Sequence, residues 1–445
     1  MKFRITIISL FFILPWTGSI MKVHADDPLA GFIKESYESK ADSLTNALVK
    51  QFLNTTKGIF WSVPRDRSNK DSETKYIYWQ QAHAMDVIIY SYERIKETNS
   101  SLAFNYRQYM TRWYANHANN WYSDSSDKTG FVNEYTDDMC WICLTLIHMS
   151  EALGDDRYVE TAKTLFDNSI LPRGWEDNDG YFGLPWKLNS TDRNACTNAP
   201  GCLVAAKLYE KYNDQTYLDA ATRIYDFWEN VMKTKFNSDG RVEEPPLSYT
   251  QGTFGEACRR LYHITNDSKY LQMARKVIYY AVTSSRCVDR NILRHEGTSM
   301  DQSIFKAVLI PYAVNFVLDE SASKVYRQRI ATFLENNAKT LWSNLDKDSY
   351  PKMYCNYYWA EPVDESSVPS MGAMVSGASL MENVARMAMV LQDKTSVETI
   401  EYPLYNSRSN GIYSLDGRLI NDHSDDISDL KPGIYVVNGK KLVVR

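Results

Sequence analysis

The segment NEYTDDMCWICLTLI, Asn133 to Ile147, sets two carboxylates, Asp137 and Asp138, immediately before an almost wholly apolar run. A helix start accounts for them most simply, with Thr136 as N-cap and the acids of the first turn stabilised by the helix dipole. Catalysis is the competing account. Two like charges side by side in a partly desolvated cleft push one proton affinity up. One carboxylate then stays ionised while the other keeps its proton, which is the division of labour that glycoside hydrolysis requires. Neighbours on a helix point about 100° apart, so the two carboxyl groups would lie about 5–7 Å from each other, nearer the separation of retaining than of inverting enzymes.

The elements that must position this pair are legible as a repeat. ALGDDRYVETA, KYNDQTYLDAA and ITNDSKYLQMA share a Gly-Asp or Asn-Asp turn, then Tyr158, Tyr217 or Tyr270, then a new amphipathic helix. Six strongly apolar segments (YWQQAHAMDVIIY, DDMCWICLTLIHM, NACTNAPGCLVAAKLY, SYTQGTFGEACRRLY, DQSIFKAVLIPYAVNFV and GAMVSGASLMENVARMAMVL) alternate strictly with six charged, amphipathic ones. One position near each apolar start, taken as Trp79, Asp137, Cys196, Thr250, Phe305 and Met374, recurs at steps of 58, 59, 54, 55 and 69 residues. A helix apolar on nearly all sides must be enclosed, and an amphipathic one covers it from outside. Six such hairpins closing a circle make an all-α (α/α)6 toroid over residues 26–395. An open solenoid would need polar capping repeats, and none is evident. The inner-helix starts and the long aromatic loops before them, such as GWEDNDGYFGLPWKLN, then ring one mouth of the barrel, where a cleft is expected.

The words YWQQAHAMD, YTDDMCWICLTLIHMSEALGD, RNACTNAPGCLVAAKLY, SYTQGTFGEACRRLY and QSIFKAVLIPYA resemble the inner-helix starts of glycoside hydrolase family 76, the α-1,6-mannanases and related transglycosidases on (α/α)6 barrels, and they follow the family order across residues 40–392. The resemblance implies a hydrolase of α-mannan, endo-acting on α-1,6 linkages, or alternatively a transglycosidase on α-mannan, with Asp137 as nucleophile and Asp138 as general acid/base. The chain departs from the family in the two Cys of the Asp-Asp helix and in Thr250, where Asn is more typical.

Further substrate-binding candidates follow from place and residue type. Trp79 suits stacking on a sugar ring and Gln80 or His83 the binding of hydroxyls, with core packing the competing role. Asn194 and Asn198 serve either as helix caps or as sugar ligands. Tyr249 and Gln251 open another inner helix, and a polar residue there needs a partner. Tyr181, Phe182 and Trp186 lie in a Gly-rich loop, where exposed aromatics tend to touch a ligand. Lys306 is expected to be a snorkelling surface residue.

Rival functions meet specific objections. Prenyl-diphosphate chemistry needs a third Asp, and the window here is DDMCW. A non-catalytic glycan-binding toroid has no use for adjacent acids. A lyase for acidic sugars would place Arg or Lys at the inner-helix starts, which are neutral or acidic.

With 445 residues, 44% hydrophobic and a net charge of -5 evenly mixed, the chain has a sizeable core and no electrostatic footprint for nucleic acid. Seven cysteines at irregular spacing are no disulfide framework, and Cys140 and Cys143, though a CxxC, sit in an apolar run and are expected to be core residues rather than metal ligands. No cofactor or metal is expected, and the partner is a polysaccharide substrate bound by a monomer. Residues 1–25 have the basic start, apolar stretch and small-residue site of a signal peptide, so export is expected. No later segment suits a membrane span. Residues 396–445 alternate with period two around Asp-Gly and Asn-Gly turns and are expected to form a small β module. GIYSLDGRLI and LKPGIYVVNGKKLVV within it resemble the sorting domains of type IX secretion, which implies surface display.

Overall fold

The computed structural model of the chain describes residues 34–66, 78–119, 130–236, 239–364 and 370–397, together with short C-terminal segments. Twelve helices run through it: α1 (Lys34–Phe52), α2 (Tyr78–Ile95), α3 (Ser100–Asn119), α4 (Thr136–Leu153), α5 (Arg157–Leu165), α6 (Ala195–Tyr212), α7 (Gln215–Phe227), α8 (Ser248–Thr265), α9 (Ser268–Thr283), α10 (Met300–Leu318), α11 (Lys324–Asn344) and α12 (Met371–Val397). The even-numbered helices are the six apolar segments of the sequence; each of α2 to α8 packs against the next even-numbered one, and each of α2 to α10 against the odd-numbered helix that follows it. Met85, Ile142, Val204 and Leu309 on these helices are fully enclosed, as the all-round apolar pattern requires. The alternation of sequence types is thus the alternation of inner and outer layers.

The turns between an inner helix and its outer partner follow from the Gly/Asn-Asp signature. Gly154, Asn213 and Asn266 end α4, α6 and α8 in the left-handed conformation, at φ of 64°, 52° and 57°. Asp214 and Asp267 then cap α7 and α9 by accepting from the backbone N–H of Thr216 and Lys269. Tyr158, Tyr217 and Tyr270 are buried where the paired helices meet. At Gly252 an added Cβ would stand 2.6 Å from Leu309 Cα, so this glycine sets how closely α8 and α10 approach.

Ring closure depends on polar ties made by α12. Pro311 in α10 has no N–H to offer the Ala307 carbonyl one turn earlier, and Ser379 Oγ of α12 donates to that carbonyl at 2.9 Å instead. Ser376 Oγ donates to Ser303 O at 2.8 Å. On the other side, Arg94 of α2 donates to Glu382 through Nε at 2.7 Å and Nη2 at 3.1 Å, and to Asp42 of α1 at 2.6 Å. Thr45 Oγ1 of α1 also donates to Glu382, at 2.5 Å. The last inner helix is thereby joined to the first outer and first inner ones.

Small antiparallel hairpins decorate the long connections: β1 (Leu53–Asn54) with β2 (Ile59–Phe60), β3 (Trp175–Glu176) with β4 (Phe182–Gly183), and β5 (Val288–Asp289) with β6 (Ile292–Leu293). The helical unit spans Pro28–Lys394. In the other unit, β7 (Ile412–Ser414), β8 (Leu419–Asn421), β9 (Gly433–Val437) and β10 (Lys440–Val444) pair antiparallel in the order β10-β9-β7-β8. The signal-peptide expectation falls on residues 1–25, outside the described residues.

Two expectations about single residues are corrected. Lys306 is not a surface residue: it is 3% exposed, donates to Tyr357 O at 2.6 Å and lies 4.0 Å over the Trp359 ring. Burial, partly countered by Glu296, pulls its ammonium down to about 7. Thr136 is not the cap of α4. Tyr135 occupies that position with extended backbone, and Thr136 is the first helical residue, its Oγ1 accepting from Arg173 at 3.2 Å. Cys140 and Cys143 are wholly buried, and no metal-binding group of His, Cys, Asp and Glu occurs among the described residues.

If the Arg94–Glu382 contact closes the ring, Glu382→Ala leaves a buried guanidinium with only Asp42 as carboxylate partner among the described residues. The expected loss is about 3–5 kcal/mol of unfolding free energy, read from denaturant titration. A loss below about 1 kcal/mol would show that closure does not rest on this pair.

Candidate active site

A cleft of about 650 Å³ opens at the mouth formed by the starts of α2, α4, α6, α8 and α10. Asp137 and Asp138 lie in it, in the first turn of α4. The start of that helix is held by the loop after β4: Thr136 N–H donates to Trp186 O at 2.8 Å, Leu188 N–H to Glu134 O at 2.8 Å, and Tyr135 bridges to Lys187. Arg173 fixes the opposite side by donating to the carbonyls of Glu134 at 2.8 Å and Asn133 at 2.9 Å. Backbone and guanidinium contacts, rather than a side-chain cap, therefore aim the acidic pair.

The two carboxyls differ in proton affinity, for identifiable reasons. Burial raises Asp137 to about 7, against the pull of the Cys196 thiol and the N–H groups at the start of α4. Cys196 Sγ lies 3.5 Å from Asp137 Oδ2 and 3.1 Å from Asn194 Oδ1. Asp138 is pushed well above the usual carboxylate range by burial, and then by the charges of Asp137, Asp301 and Glu134. Asp137 has compensating donors and Asp138 has like charges, so Asp137 ionises first.

Around the pair the lining is aromatic and acidic. Trp79 and Phe305 have ring centroids 6.2 Å apart, and Tyr249 stacks on Phe305 at 4.1 Å with an interplanar angle of 18°. Trp141 follows Asp137 by one turn and lies 6.2 Å from Trp79 and 5.9 Å from Tyr249. Trp186 and Tyr135 form a second aromatic wall, 5.2 Å apart. Glu134, Asp137, Asp138, Asp192 and Asp301 line the space, and among the described residues no Lys, Arg or His does. Such a surface suits a neutral polyhydroxyl ligand and repels an anionic one.

Of the binding residues read from the sequence, Trp79, Gln80, Trp186, Asn194 and Tyr249 line this cleft with the acidic pair. Asn194 is also the N-cap of α6, accepting from Thr197 N–H. His83 lies beneath the floor, between the rings of Trp79 at 5.4 Å and Trp141 at 5.1 Å, with Nδ1 3.6 Å from Asp86. Burial would raise Asp86, but His148 and His83 hold its carboxyl at about 2.

Four further residues are placed elsewhere. Asn198 is 2% exposed and is engaged by Leu184 N–H and by the carbonyls of Leu184 and Asn194, pinning the loop after β4. Gln251 is fully buried, accepting from Val242 N–H at 2.5 Å and donating to Gly240 O and Val277 O at 3.0 and 3.1 Å. Phe182 packs under the Arg223 guanidinium, 4.3 Å from its ring centroid, and Tyr181 packs against the core. The Tyr181–Phe182 pair is thus hairpin scaffolding rather than an exposed platform. Thr250, the departure from the family pattern, is buried and donates to Glu243 at 2.6 Å, away from the cleft lining.

Sequence reasoning missed Asp301, Cys196, Trp141 and Phe305 as lining residues. Their signal was positional: Asp301 lies four residues before the marked Phe305, and Trp141 four after Asp137, so each shares a face with a position already singled out.

The comparisons with known proteins agree with this architecture. The model of Glycosyl hydrolase family 76 matches residues 36–398. A putative mannan endo-1,6-alpha-mannosidase of Schizosaccharomyces pombe is 24% identical over 237 residues, which is 45% of this chain and 53% of the relative, so the match spans about half of that protein. Among solved structures, an inactive variant of an alpha-1,6-mannanase from Salegentibacter sp., with two consecutive aspartates replaced by asparagine and alpha-1,6-mannotriose bound, has a TM-score of 0.67 at 22% identity, covering 79% of this chain and 99% of that one. A family 76 mannosidase from Bacteroides thetaiotaomicron has a TM-score of 0.63 at 17% identity, over 81% and 99% of the two chains. At these identities the structural likeness concerns the fold. The family match reaches from α1 to the end of α12, and the chain belongs to glycosyl hydrolase family 76.

Proposed function

We propose that the protein is a retaining, endo-acting hydrolase of α-1,6-mannan. The observation that carries this reading is the pair of consecutive carboxylates of unequal proton affinity in an aromatic cleft. The alpha-1,6-mannotriose held by the Salegentibacter relative supports the substrate, and the similarity to the fission-yeast putative mannan endo-1,6-alpha-mannosidase supports the endo assignment. A glycan-binding role without chemistry leaves the cost of two partly desolvated acids without a return. The apolar stretch at residues 1–25 supports export, and the β-rich C-terminal segment supports surface display.

In this reading the ionised Asp137 attacks the anomeric carbon while Asp138 gives its proton to the departing glycosidic oxygen. The glycosyl–Asp137 ester is then opened by water, whose proton returns to Asp138 and whose oxygen joins the anomeric carbon. Two inversions leave the α configuration unchanged. The helix start favours the Asp137 anion, and the charge of that anion helps Asp138 keep its proton until needed.

The expected products from linear α-1,6-mannan are oligosaccharides whose fresh reducing ends are α by NMR, and a β anomer appearing first would overturn the mechanism. Replacing either aspartate by Asn should lower kcat by roughly three or more orders of magnitude. On an activated aryl mannoside, which needs little acid assistance, Asp138→Ala should retain the first step and be rescued by azide, whereas Asp137→Ala should not. The rate constant kcat/KM should rise with pH through about 7 as Asp137 ionises, and fall at higher pH as Asp138 loses its proton.

The same burial predicts a stability effect. The carboxyl of Asp137 moves from an ordinary value of 3.8 to about 7 on folding. Between those pH values the unfolded chain releases a proton that the folded chain retains, so stability falls as pH rises from about 4 to 7 and stays low above it. Asp137→Asn removes the penalty. Its unfolding free energy at pH 8 should exceed that of the parent by up to about 4 kcal/mol, and the two should converge near pH 4. An Asn variant less stable than the parent at pH 8 would show that the carboxylate is not strained.

A further inference from the structure

We infer that Asp301 is a specificity-determining residue of this cleft, accepting a hydrogen bond from a hydroxyl of the bound sugar while it anchors the Trp79–Gln80 wall. The inference rests on the mannan-cleaving reading and extends it to a residue on a different helix from the acidic pair.

Asp301 is in the first turn of α10, and Trp79 and Gln80 are in the first turn of α2. One oxygen of Asp301 serves both: Trp79 Nε1–H donates to Oδ1 at 2.9 Å, and Gln80 Nε2–H donates to the same atom. The other oxygen, Oδ2, accepts nothing from the described residues, although the side chain is exposed and lines the cleft. Gln80 is 2% exposed and also lines the cleft, yet its Oε1 has no donor. An unused carboxylate oxygen of an exposed side chain thus stands beside an acid/base carboxyl, and a sugar hydroxyl is the donor that matches it.

A purely structural tie between the two helices would not need a carboxylate. A neutral side-chain oxygen accepts from Trp79 and Gln80 equally well, without adding a like charge that Asp138 feels. The charge makes sense if it acts on the ligand: a carboxylate–hydroxyl bond is stronger than a neutral one, and the acceptor-only corner rejects a sugar that presents no donor there.

The test separates charge and second acceptor from the tie. Asp301→Asn keeps an oxygen for Trp79 and Gln80, whereas Asp301→Ala removes it. In the Asp137→Asn background, which stops turnover, α-1,6-mannotriose is titrated by calorimetry into proteins with Asp301 intact and with Asp301→Asn. The inferred role predicts a 10- to 100-fold weaker Kd for the double variant with an unchanged near-ultraviolet circular dichroism of the tryptophans. With Asp137 restored, Asp301→Asn should raise KM and move the alkaline limb of kcat/KM to lower pH, because one like charge beside Asp138 is gone. The alkaline limb moves with the lost charge in either case. A merely structural Asp301 is told apart by binding, because Asp301→Asn then binds within 2-fold with KM unchanged, and only Asp301→Ala weakens binding and perturbs the tryptophan signal. That pattern overturns the inference and leaves the functional reading standing. If the protein with Asp301 intact binds no α-1,6-mannotriose, the functional reading falls, and the inference with it.

Discussion

A helix that is apolar on every side has one stable solution in water, which is to be enclosed, and in this chain six such helices must be enclosed together. The outer helices cover them laterally, but the first and last inner helices still have an open flank until the ring closes. The closing surfaces are not simply greasy. Arg94, Glu382, Asp42 and Thr45 form a compact polar knot there, with Arg94 and Glu382 almost without solvent contact. A buried ion pair is a poor source of net stability compared with a hydrophobic replacement, but it is strongly directional. Its geometry can be satisfied by one register of α12 against α1 and α2, which suits a closure that must be unique.

The proline in α10 follows the same logic. A helix interior proline leaves one carbonyl without its partner. In an isolated helix that carbonyl would turn to water, but here it is buried, and Ser379 of α12 supplies the missing donor. The defect in one inner helix becomes a specific docking point for its neighbour. Closure therefore uses groups whose needs are met only in the complete ring, and the inner-helix starts are carried to a common mouth as a consequence.

The fold was largely legible in the sequence because burial and periodicity act locally: the apolar and amphipathic segments alternate, and Gly154, Asn213 and Asn266 mark the short turns by the one backbone conformation they readily adopt. Asp137 and Asp138 were legible because adjacent acids at a buried helix start are costly without a purpose. The individual binding residues were not, and the reason is geometric. Asn198 and Gln251 occupy helix starts just as Asn194 and Tyr249 do, yet successive residues differ in direction by about 100°, and the inward direction at each helix depends on its tilt in the ring. Asn198 faces the loop backbone at Leu184 and Gln251 the loop backbone at Gly240 and Val242 together with Val277 of α9, and their amides are consumed there. Lys306 misled for a related reason: a long basic side chain on an apolar helix usually reaches solvent, but the carbonyl of Tyr357 and the face of Trp359 meet its needs inside.

The acidic helix starts show how the toroid sets its own electrostatics. Every inner helix in the ring points the same end toward the mouth, so the partial positive charges of several N-termini converge on one cleft. That convergence makes carboxylates tolerable there, and Glu134, Asp137, Asp138, Asp192 and Asp301 gather, among the described residues, without a compensating side-chain cation in the lining. Helix dipoles fall off within about a turn and act on the residues whose carboxyls lie nearest the N–H groups. Asp137, which has such backbone donors, is held lower than its neighbour, while Asp138 lacks them and carries the repulsion of the others. A difference of one position along a single helix thus separates an acid that ionises readily from one that does not. Cys196 beside Asp137, and Asp301 and Glu134 beside Asp138, widen the difference that the helix start begins.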